Sequence, residues 1–334
     1  MLIIDGPTVQ RLYPMKDAVA RMREAFTALG SDQVQQPLRK VLRMPGNRAF
    51  AVMPAQVSDP AAVTTTAFGV KTITVTPQNS ERGLEVHNGL VLVFEPETGV
   101  PAAAVEAGSV TAIRTAAASA VATDLLAVPE AGTVAVLGTG VQARAHIEAM
   151  AAVRPVHTVR VWGRRPDRAK ALADWAAGRL GVEASAHEQI EEATLGAEII
   201  CTTTASTEPV LFAAAVSPGA HINAVGASFP HARELDDAVV EGASVFVDRR
   251  ESALNESGDL LAPLHAGRIG EDHIKGEIGE LLVGRSTGRT SPDEITLFES
   301  LGLAVQDVVS AMHVWERAAA EGAGVAVSLA PAEH

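Results

Sequence analysis

The sequence predicts an α/β protein in two parts, a doubly wound parallel sheet and an α+β domain built on an antiparallel sheet. Three observations predict this class. Strand-like runs joined by short turns fill the first third, strand and helix patterns alternate after Pro129, and a glycine-rich turn follows the first strand of that alternation. A chain of 334 residues is also too long for one ordinary core.

The first third is predicted to form strands joined by tight turns. Strand-like runs are "VLRM", "AFAVMPAQ" and "TTTAFGVKTITVT", and "PETG" is a turn inside "GLVLVFEPETGVPAAAVE". Short turns between successive strands favour an antiparallel sheet. The run of small residues from Ser109, "SVTAIRTAAASAVATDLLA", predicts a helix with Ser109 as its N-cap.

Strands and helices alternate after Pro129. The strands are "TVAVLG", "HTVRVWG", "AEIICTTT", "HINAVG" and "SVFVD", and the first helices between them are "VQARAHIEAMAAV" and "DRAKALADWAAGRL". Such alternation gives parallel strands with crossover helices. The last long helix, in "SLGLAVQDVVSAMHVWERAAAEG", is expected to return to the first domain. We therefore expect one domain from residues 1–115 and 305–334, and a second from residues 116–304.

Composition and charge exclude several classes of partner. Apolar residues make up 47% and charged residues 20% of the chain, the balance of a folded globular protein. A net charge of −13 argues against nucleic-acid binding, which needs clustered lysine and arginine. The only cysteine, Cys201, lies in an apolar run that favours a core position. No cysteine or histidine spacing indicates a metal site, and no signal peptide or membrane span is visible, so we expect a cytoplasmic protein without a membrane partner.

The stretch "VLGTGVQARAH" predicts a dinucleotide site in a Rossmann fold. Gly138 permits the tight turn, Gly140 lets the backbone approach a pyrophosphate, and Ala143 allows close packing of helix on strand. The phosphates would bind amides at the start of the helix, at Val141 and Gln142. A turn with only a structural role is the alternative, but the strand, the helix and the next βαβ unit all occupy the places that the motif requires.

Two arginines follow the second strand of this unit, where an NAD-binding protein has an acid for the ribose hydroxyls. In "WGRR", Gly163 replaces the acid, and Arg164 and Arg165 would form charge-assisted hydrogen bonds with a 2′-phosphate. The alternative is a pair of exposed arginines that open a helix. We predict NADP(H) as the preferred cofactor, with NAD(H) possible, and expect Thr203 and Thr204 at the same carboxyl edge to offer it hydroxyls.

Two charged residues stand alone in apolar segments. Lys71 is the only charge between Asp59 and Glu81, on the strand face of Ile73. A buried ammonium is costly unless it pairs or its pKa falls, which is typical of functional lysines; the alternative is a packed stem with a solvated head. Arg114 lies in a helix of small apolar residues and must meet an anion, either a structural carboxylate or that of a substrate.

Taken together, these segments resemble the ornithine cyclodeaminase/mu-crystallin family, and within it the ketimine reductases more than the cyclodeaminases. The resemblance covers roughly Gln36 to Met312 and rests on "QPLR", "FGVKTIT", "VLVFEPETG", "AIRTAAASAVAT", "VLGTGVQARAH", "HINAVGAS", "RELDD", "ESGD" and "FESLGLAVQD". It implies an antiparallel domain that forms a homodimer through its sheet, with a Rossmann domain inserted before the last helix.

The resemblance also implies roles for individual residues. Arg39 and Arg114 correspond to the pair that holds the substrate carboxylate, and Lys71 to the lysine beside the reacting carbon and nitrogen. Segments near the nicotinamide correspond to those of Thr115, Val225, Ser300 and Leu301.

One departure separates the chain from the cyclodeaminases. These enzymes have an aspartate and then a lysine after their "NAVGG" segment, where this chain has Ser228 and Ala232. An uncharged Ser228 near the substrate cannot act as that base or pair with a second ammonium group. The resemblance therefore favours a reductase.

The sequence thus predicts a homodimeric NADPH-dependent reductase of a small α-imino acid, either a cyclic ketimine or an imine formed from a keto acid and an amine. Arg39 and Arg114 would hold the carboxylate, and Lys71 would keep the imine nitrogen protonated or donate a proton to it as hydride arrives. Three alternatives stay open: ornithine cyclodeaminase with bound NAD⁺, alanine dehydrogenase, and a non-catalytic NADPH-dependent binder of a small carboxylate ligand.

Overall fold

The computed structural model describes residues 1–59 and 64–329. The strands in chain order are β1 (Leu2–Ile4), β2 (Val34–Gln35), β3 (Lys40–Met44), β4 (Arg48–Asp59), β5 (Thr64–Val75), β6 (His87–Phe94), β7 (Pro101–Glu106), β8 (Thr133–Leu137), β9 (Thr158–Trp162), β10 (Glu183–His187), β11 (Ile199–Thr202), β12 (His221–Ala224), β13 (Ser244–Val247), β14 (Ile274–Glu277), β15 (Thr296–Glu299) and β16 (Val325–Ala326). The helices are α1 (Gly6–Leu12), α2 (Met15–Gly30), α3 (Ala107–Leu126), α4 (Val141–Val153), α5 (Pro166–Leu180), α6 (Ile190–Thr194), α7 (Asp237–Gly242), α8 (Arg250–Glu256), α9 (Gly258–His265), α10 (Ile278–Leu282) and α11 (Ala304–Glu321). Short 3₁₀ turns cover Pro77–Arg82, Ala213–Ala215 and Glu271–His273.

The chain divides into two compact units. The split unit consists of residues 1–114 and 303–334, and the inserted unit of residues 115–302. Within the described residues, each unit contains one sheet of eight strands.

The sheet of the split unit is mostly antiparallel, as the short turns predict. Its order is β16-β1-β7-β6-β5-β4-β2, with β3 also paired to β4, and β1 runs parallel to β7. The expected turn at "PETG" joins β6 to β7. Along β5, Gly69, Lys71 and Ile73 alternate with half-buried residues and lie on the buried face, against which α11 packs. That face carries the lone lysine.

Two predicted helix starts are wrong by a few residues. Helix α3 begins at Ala107, before Ser109, because the Glu106 carboxylate accepts hydrogen bonds from the amides of Gly108 and Ser109, the latter at 2.8 Å. Glu106 thus caps the helix instead of Ser109. The last helix begins at Ala304, after the predicted start at "SLGL".

The inserted unit contains a parallel sheet in the order β10-β9-β8-β11-β12-β15-β13-β14. The chain runs outward from β8 to β10 and then restarts at β11 on the other side of β8. Strands β8 and β11 therefore flank the switch point at which open α/β sheets bind ligands. The predicted Rossmann sheet is confirmed, and its strands are apolar and buried, for example at Leu137, Ile200 and Ile222.

Cys201 is fully buried in β11, between β8 and β12. Burial raises the pKa of its thiol to about 12, because the thiolate would lose its hydration. Cys201 is therefore a core residue, as its apolar surroundings predict. Within the described ranges, no helix combines the length and apolar character needed to cross a bilayer.

Candidate active site

A buried ion pair joins β5 to α11 in the split unit. Lys71 is 2% exposed and Asp307 is fully buried. The Lys71 Nζ donates to Asp307 Oδ1 at 3.0 Å and to the Thr111 hydroxyl at 2.8 Å. The pairing removes the solvated-head alternative for Lys71, since its ammonium lies inside the protein and is held by a carboxylate.

Arg114 shares the same carboxylate oxygen. Its Nε donates to Asp307 Oδ1 at 3.0 Å, and its Nη1 donates to Gln306 Oε1 at 2.7 Å. The sequence left a structural carboxylate and a substrate carboxylate as possible partners of Arg114. Asp307 is a structural carboxylate that fills the first of these roles. Within residues 1–59 and 64–329, the Nη2 group of Arg114 makes no hydrogen bond. One carboxylate faces two buried cations, so the cluster carries surplus positive charge whenever Lys71 is protonated.

The electrostatics make Lys71 a proton donor near neutral pH. Burial lowers the pKa of Lys71 to about 8, because the ammonium loses its hydration. The charge of Asp307 opposes this effect, whereas the charges of Arg114 and Arg39 add to it. Arg39 is half-buried, just before β3. The structure therefore brings two of the predicted substrate residues, Arg39 and Arg114, within electrostatic reach of the third, Lys71.

The glycine-rich turn lies between β8 and α4 in the inserted unit. Gly138 has a φ of 131°, and a Cβ there would lie 2.5 Å from the Thr203 hydroxyl oxygen. At Gly140, apart from the glycine and its two chain neighbours, no atom of the described residues lies within 4 Å of the position that a Cβ would take. Helix α4 then begins at Val141 without a side-chain cap. This combination of room and a helix N-terminus fits a bound pyrophosphate.

Gly163 has a packing role that sequence reasoning missed. A Cβ at this position would lie 2.5 Å from Cγ2 of Thr139 in the glycine-rich turn. The Gly138 amide also donates to the Trp162 carbonyl at 2.8 Å. The glycine therefore lets the end of β9 approach the turn, in addition to leaving out an acid.

The two arginines after β9 are exposed and differ in their contacts. Arg165 forms a forked pair with Asp167, with Nε 3.1 Å from Oδ1 and Nη2 2.7 Å from Oδ2. Arg164 makes no hydrogen bond with any residue that the structure describes. The guanidinium of Arg165 is thus engaged by Asp167, whereas that of Arg164 is not engaged by any described residue.

The other predicted cofactor residues of the inserted unit follow the carboxyl ends of strands. Thr203 and Thr204 follow β11, Val225 follows β12, and Ser300 and Leu301 follow β15. Because the strands are parallel, these ends meet at one edge of the sheet, together with the glycine-rich turn. Ser228 lies half-buried in the loop after β12, and Thr115 lies buried inside α3.

Asp307 is the functional candidate that sequence reasoning missed. It is the only acid between Glu299 and Glu316, so the isolation that singled out Lys71 would also have found it. Among the described residues, no group of three or more His, Cys, Asp or Glu side chains is arranged to hold a metal ion.

Comparison with known proteins identifies the family. The profile of the ornithine cyclodeaminase/mu-crystallin family matches residues 4–322. The chain belongs to this family. The ketimine reductase mu-crystallin of Mus musculus, a family relative, is 40% identical over 284 residues, which is 85% of each chain.

Two solved structures are similar to this chain over nearly its whole length. The Δ1-pyrroline-2-carboxylate reductase of Thermococcus litoralis, in complex with NADH and L-proline, is 35% identical with a TM-score of 0.93, covering 98% of this chain and 100% of that one. An archaeal alanine dehydrogenase dimer with bound NAD is 32% identical with a TM-score of 0.92, covering 98% and 99%. The family resemblance is confirmed, and its named relatives include reductases that act on imines.

Proposed function

We propose that this protein is an NAD(P)H-dependent reductase of small α-imino acids, with the cyclic ketimines Δ1-pyrroline-2-carboxylate and Δ1-piperideine-2-carboxylate as first candidates. The buried cluster of Lys71, Asp307 and Arg114 carries the proposal. Its surplus positive charge suits a carboxylate, and an ammonium with a pKa of about 8 suits a nitrogen that gains a proton. The named activities of the relatives support the same reaction class.

Arg114 and Arg39 would hold the substrate carboxylate. The Nη2 of Arg114 is a donor without a hydrogen bond in the described part of the chain, and the charge of Arg39 reaches the same cluster. Guanidinium groups bind carboxylates through paired, charge-assisted hydrogen bonds. A carboxylate held in this way would offset the surplus charge and orient the C=N bond beside Lys71.

Lys71 would supply the proton. A bound nicotinamide dinucleotide would supply the hydride for the imine carbon. Hydride addition would leave the electron pair of the C=N bond on the nitrogen, and the Lys71 ammonium would donate a proton to that nitrogen to give the amine. Solvent would then restore the proton of Lys71. Asp307 and the Thr111 hydroxyl hold Nζ in one place, so the proton is presented in a defined direction.

The inserted unit would hold the dinucleotide at the carboxyl edge of its sheet. Gly140 and the start of α4 would receive the pyrophosphate, and Thr203 and Thr204 would offer hydroxyls. We propose a preference for NADPH, because Arg164 and Arg165 stand where an NAD-binding protein has an acid. NAD(H), the nucleotide of the two solved relatives, is the alternative.

We also propose that the chain forms a homodimer through the open face of the split unit's sheet. Phe68 and Phe94 stack on that face with ring centroids 5.3 Å apart, and Leu90, farther along the same face of β6, is 42% exposed. The archaeal alanine dehydrogenase relative is itself a dimer. A cytoplasmic location remains a prediction from composition.

Oxidation of NADPH and of NADH by the purified protein, with each cyclic imine in turn, tests the proposal. Fast oxidation with a cyclic imine and none with pyruvate and ammonia is the expected result. The reverse preference would make the protein an alanine dehydrogenase, the candidate that the second solved relative favours. Proline and ammonia formed from ornithine with NAD⁺ would show that Ser228 permits deamination and would overturn the assignment.

The Lys71→Met variant separates an enzyme from a binding protein. It should bind NADPH as tightly as the parent and lose turnover at least about 100-fold, the usual contribution of a general acid. Tight binding of nucleotide and of a carboxylate ligand by the parent, without turnover of any imine, would instead indicate a non-catalytic binder.

A further inference from the structure

Glu234 joins two loops at the carboxyl edge of the inserted unit's sheet. The residue lies in the segment that joins β12 to α7, and its side chain is fully buried. Its Oε1 accepts a hydrogen bond from the Thr204 amide at 2.5 Å. Its Oε2 accepts from the Thr202 hydroxyl at 2.7 Å and from the Gly226 amide at 2.6 Å. One carboxylate thus holds the loop after β11 and the loop after β12.

The surroundings hold Glu234 itself in place. Asp259 Oδ1 accepts hydrogen bonds from the amides of Glu234 and Leu235, at 2.9 and 3.0 Å. A Cβ at Gly226 would lie 2.6 Å from the carboxyl carbon of Glu234 and 2.2 Å from the Thr204 carbonyl oxygen. Only a glycine allows the second loop to approach the carboxylate so closely.

Topology indicates which part of a dinucleotide these loops would meet. In a doubly wound sheet, each half binds one mononucleotide, and the acid or arginine after the second strand marks the adenosine half. Here the first half of the sheet consists of β8, β9 and β10, and Arg164 lies after its second strand, β9. Strands β11 and β12 begin the other half, so the loops that carry Thr203, Thr204, Val225 and Ser228 face the nicotinamide half.

We propose that Glu234 is a positioning residue that sets the nicotinamide half of the cofactor site by holding these two loops together. The inference rests on the proposed function, because it takes the ligand to be a nicotinamide dinucleotide. The Thr204 amide, the Thr202 hydroxyl and the Gly226 amide all act as donors to the carboxylate, so both of its oxygens serve as acceptors. Glutamine would direct an NH₂ group at one loop and release it.

The same sheet offers a matched control at its opposite edge. Glu198 Oε2 accepts hydrogen bonds from the amides of Gly132 and Thr133, at 2.8 and 3.0 Å, where β8 begins. Glu198→Gln therefore disturbs a carboxylate that binds backbone amides, as Glu234→Gln does, but far along the strands from the ligand edge. Any general effect of such a loss appears in both variants.

Calorimetric titration of the full-length protein with NADPH and with 2′-phospho-ADP-ribose, which lacks the nicotinamide, tests the proposal. Glu234→Gln should raise the Kd of NADPH about tenfold or more, the effect of losing a hydrogen bond to a charged group, with a much smaller change for the fragment. Glu198→Gln should change neither Kd, although its Tm falls. NADH and ADP-ribose form a second pair of probes.

Equal weakening of NADPH and of the fragment by Glu234→Gln would overturn the proposal, because the residue would then act on the whole fold. If Glu234→Gln does not fold, Thr202→Val removes one contact to Glu234 and Thr202→Ser restores its hydroxyl. NADPH should bind more weakly to the valine variant only, and identical binding to both would refute the role. Failure of the unaltered protein to bind any nucleotide would instead refute the proposed function.

Discussion

Lys71 and Asp307 form a buried ion pair with Nζ 3.0 Å from Oδ1, although 236 positions separate them in the chain. The same oxygen lies 3.0 Å from Nε of Arg114. Oδ2 of Asp307 is buried and has no hydrogen-bond partner in the described ranges. One oxygen of one carboxylate therefore orients the ammonium together with Thr111, and it opposes the effect of burial on the pKa of Lys71.

Asp307→Asn should reduce both stability and turnover, because it leaves two buried cations without their anion. We expect the free energy of unfolding to fall by about 3–5 kcal/mol, measured by denaturant titration. The exposed pair of Lys170 and Asp174, 2.8 Å apart, is the control, and Asp174→Asn should cost at most about 1 kcal/mol. Similar losses in both variants would contradict a special role for Asp307.

The turnover number should fall as pH rises through about 8, because Lys71 then loses the proton that it donates. The pKa of Lys71 lies below its ordinary value of 10.5, so between these two pH values the unfolded chain binds more protons than the folded chain. The contribution of Lys71 to the free energy of unfolding therefore rises across this window while activity falls.

Rate profiles against pH check this assignment. In Asp307→Asn the ammonium loses its anion, so the alkaline limb should move to lower pH. Burial, with the nearby charge of Lys71, lowers the pKa of His87 below its ordinary 6.5, so this histidine would titrate on the acidic side. An alkaline limb that Asp307→Asn leaves in place would show that another group controls it.

Arg164→Ala should raise the KM for NADPH about tenfold and leave that for NADH nearly unchanged, because only NADPH carries the 2′-phosphate. Asp167→Asn should lower the KM for NADPH, since it frees the fork of Arg165. Arg179→Ala, at the other end of α5, is the control for lost surface charge. Equal increases in the KM for NADPH and the KM for NADH in Arg164→Ala would contradict the 2′-phosphate assignment.

Two glycine variants of the nucleotide turn should fail in different ways. Gly140→Ala meets open space in the protein, so its Tm should hold while the Kd of NADPH rises about tenfold through lost phosphate contacts. Gly138→Ala meets Thr203 at a φ of 131°, so thermal unfolding should show a lower Tm. Unchanged nucleotide binding in Gly140→Ala would argue against a pyrophosphate at this turn.

Sequence patterns predicted both sheets and the isolated cations because each depends on local periodicity or on charge that stands alone. Lys71 and Arg114 could be singled out in this way, but their shared partner could not be paired with them from sequence, since α11 returns to β5 only in the fold. Asp307 stands equally alone in its segment. A single charge in an apolar segment therefore indicates a functional candidate for anions as well as for cations.

Other contacts left no usable signal in the sequence. Glu234 lies in "RELDD", where neighbouring charges hide the one that is buried. Gly163 reads as a missing acid, whereas its contact with Thr139 depends on how two strand ends meet. The fork between Arg165 and Asp167 depends on side-chain rotamers, which spacing does not determine. These contacts depend on the tertiary structure, and a pattern in the sequence does not predict them.

The single thiol in the chain is closed off inside β11, the strand next to the switch point. An alkylating reagent would reach Cys201 only when that strand opens, so its labelling rate would report how often the middle of the sheet comes apart. A nucleotide that binds the closed sheet would slow labelling in proportion to its occupancy. The labelling rate of Cys201 would thus report ligand binding without an added dye and without turnover of a substrate.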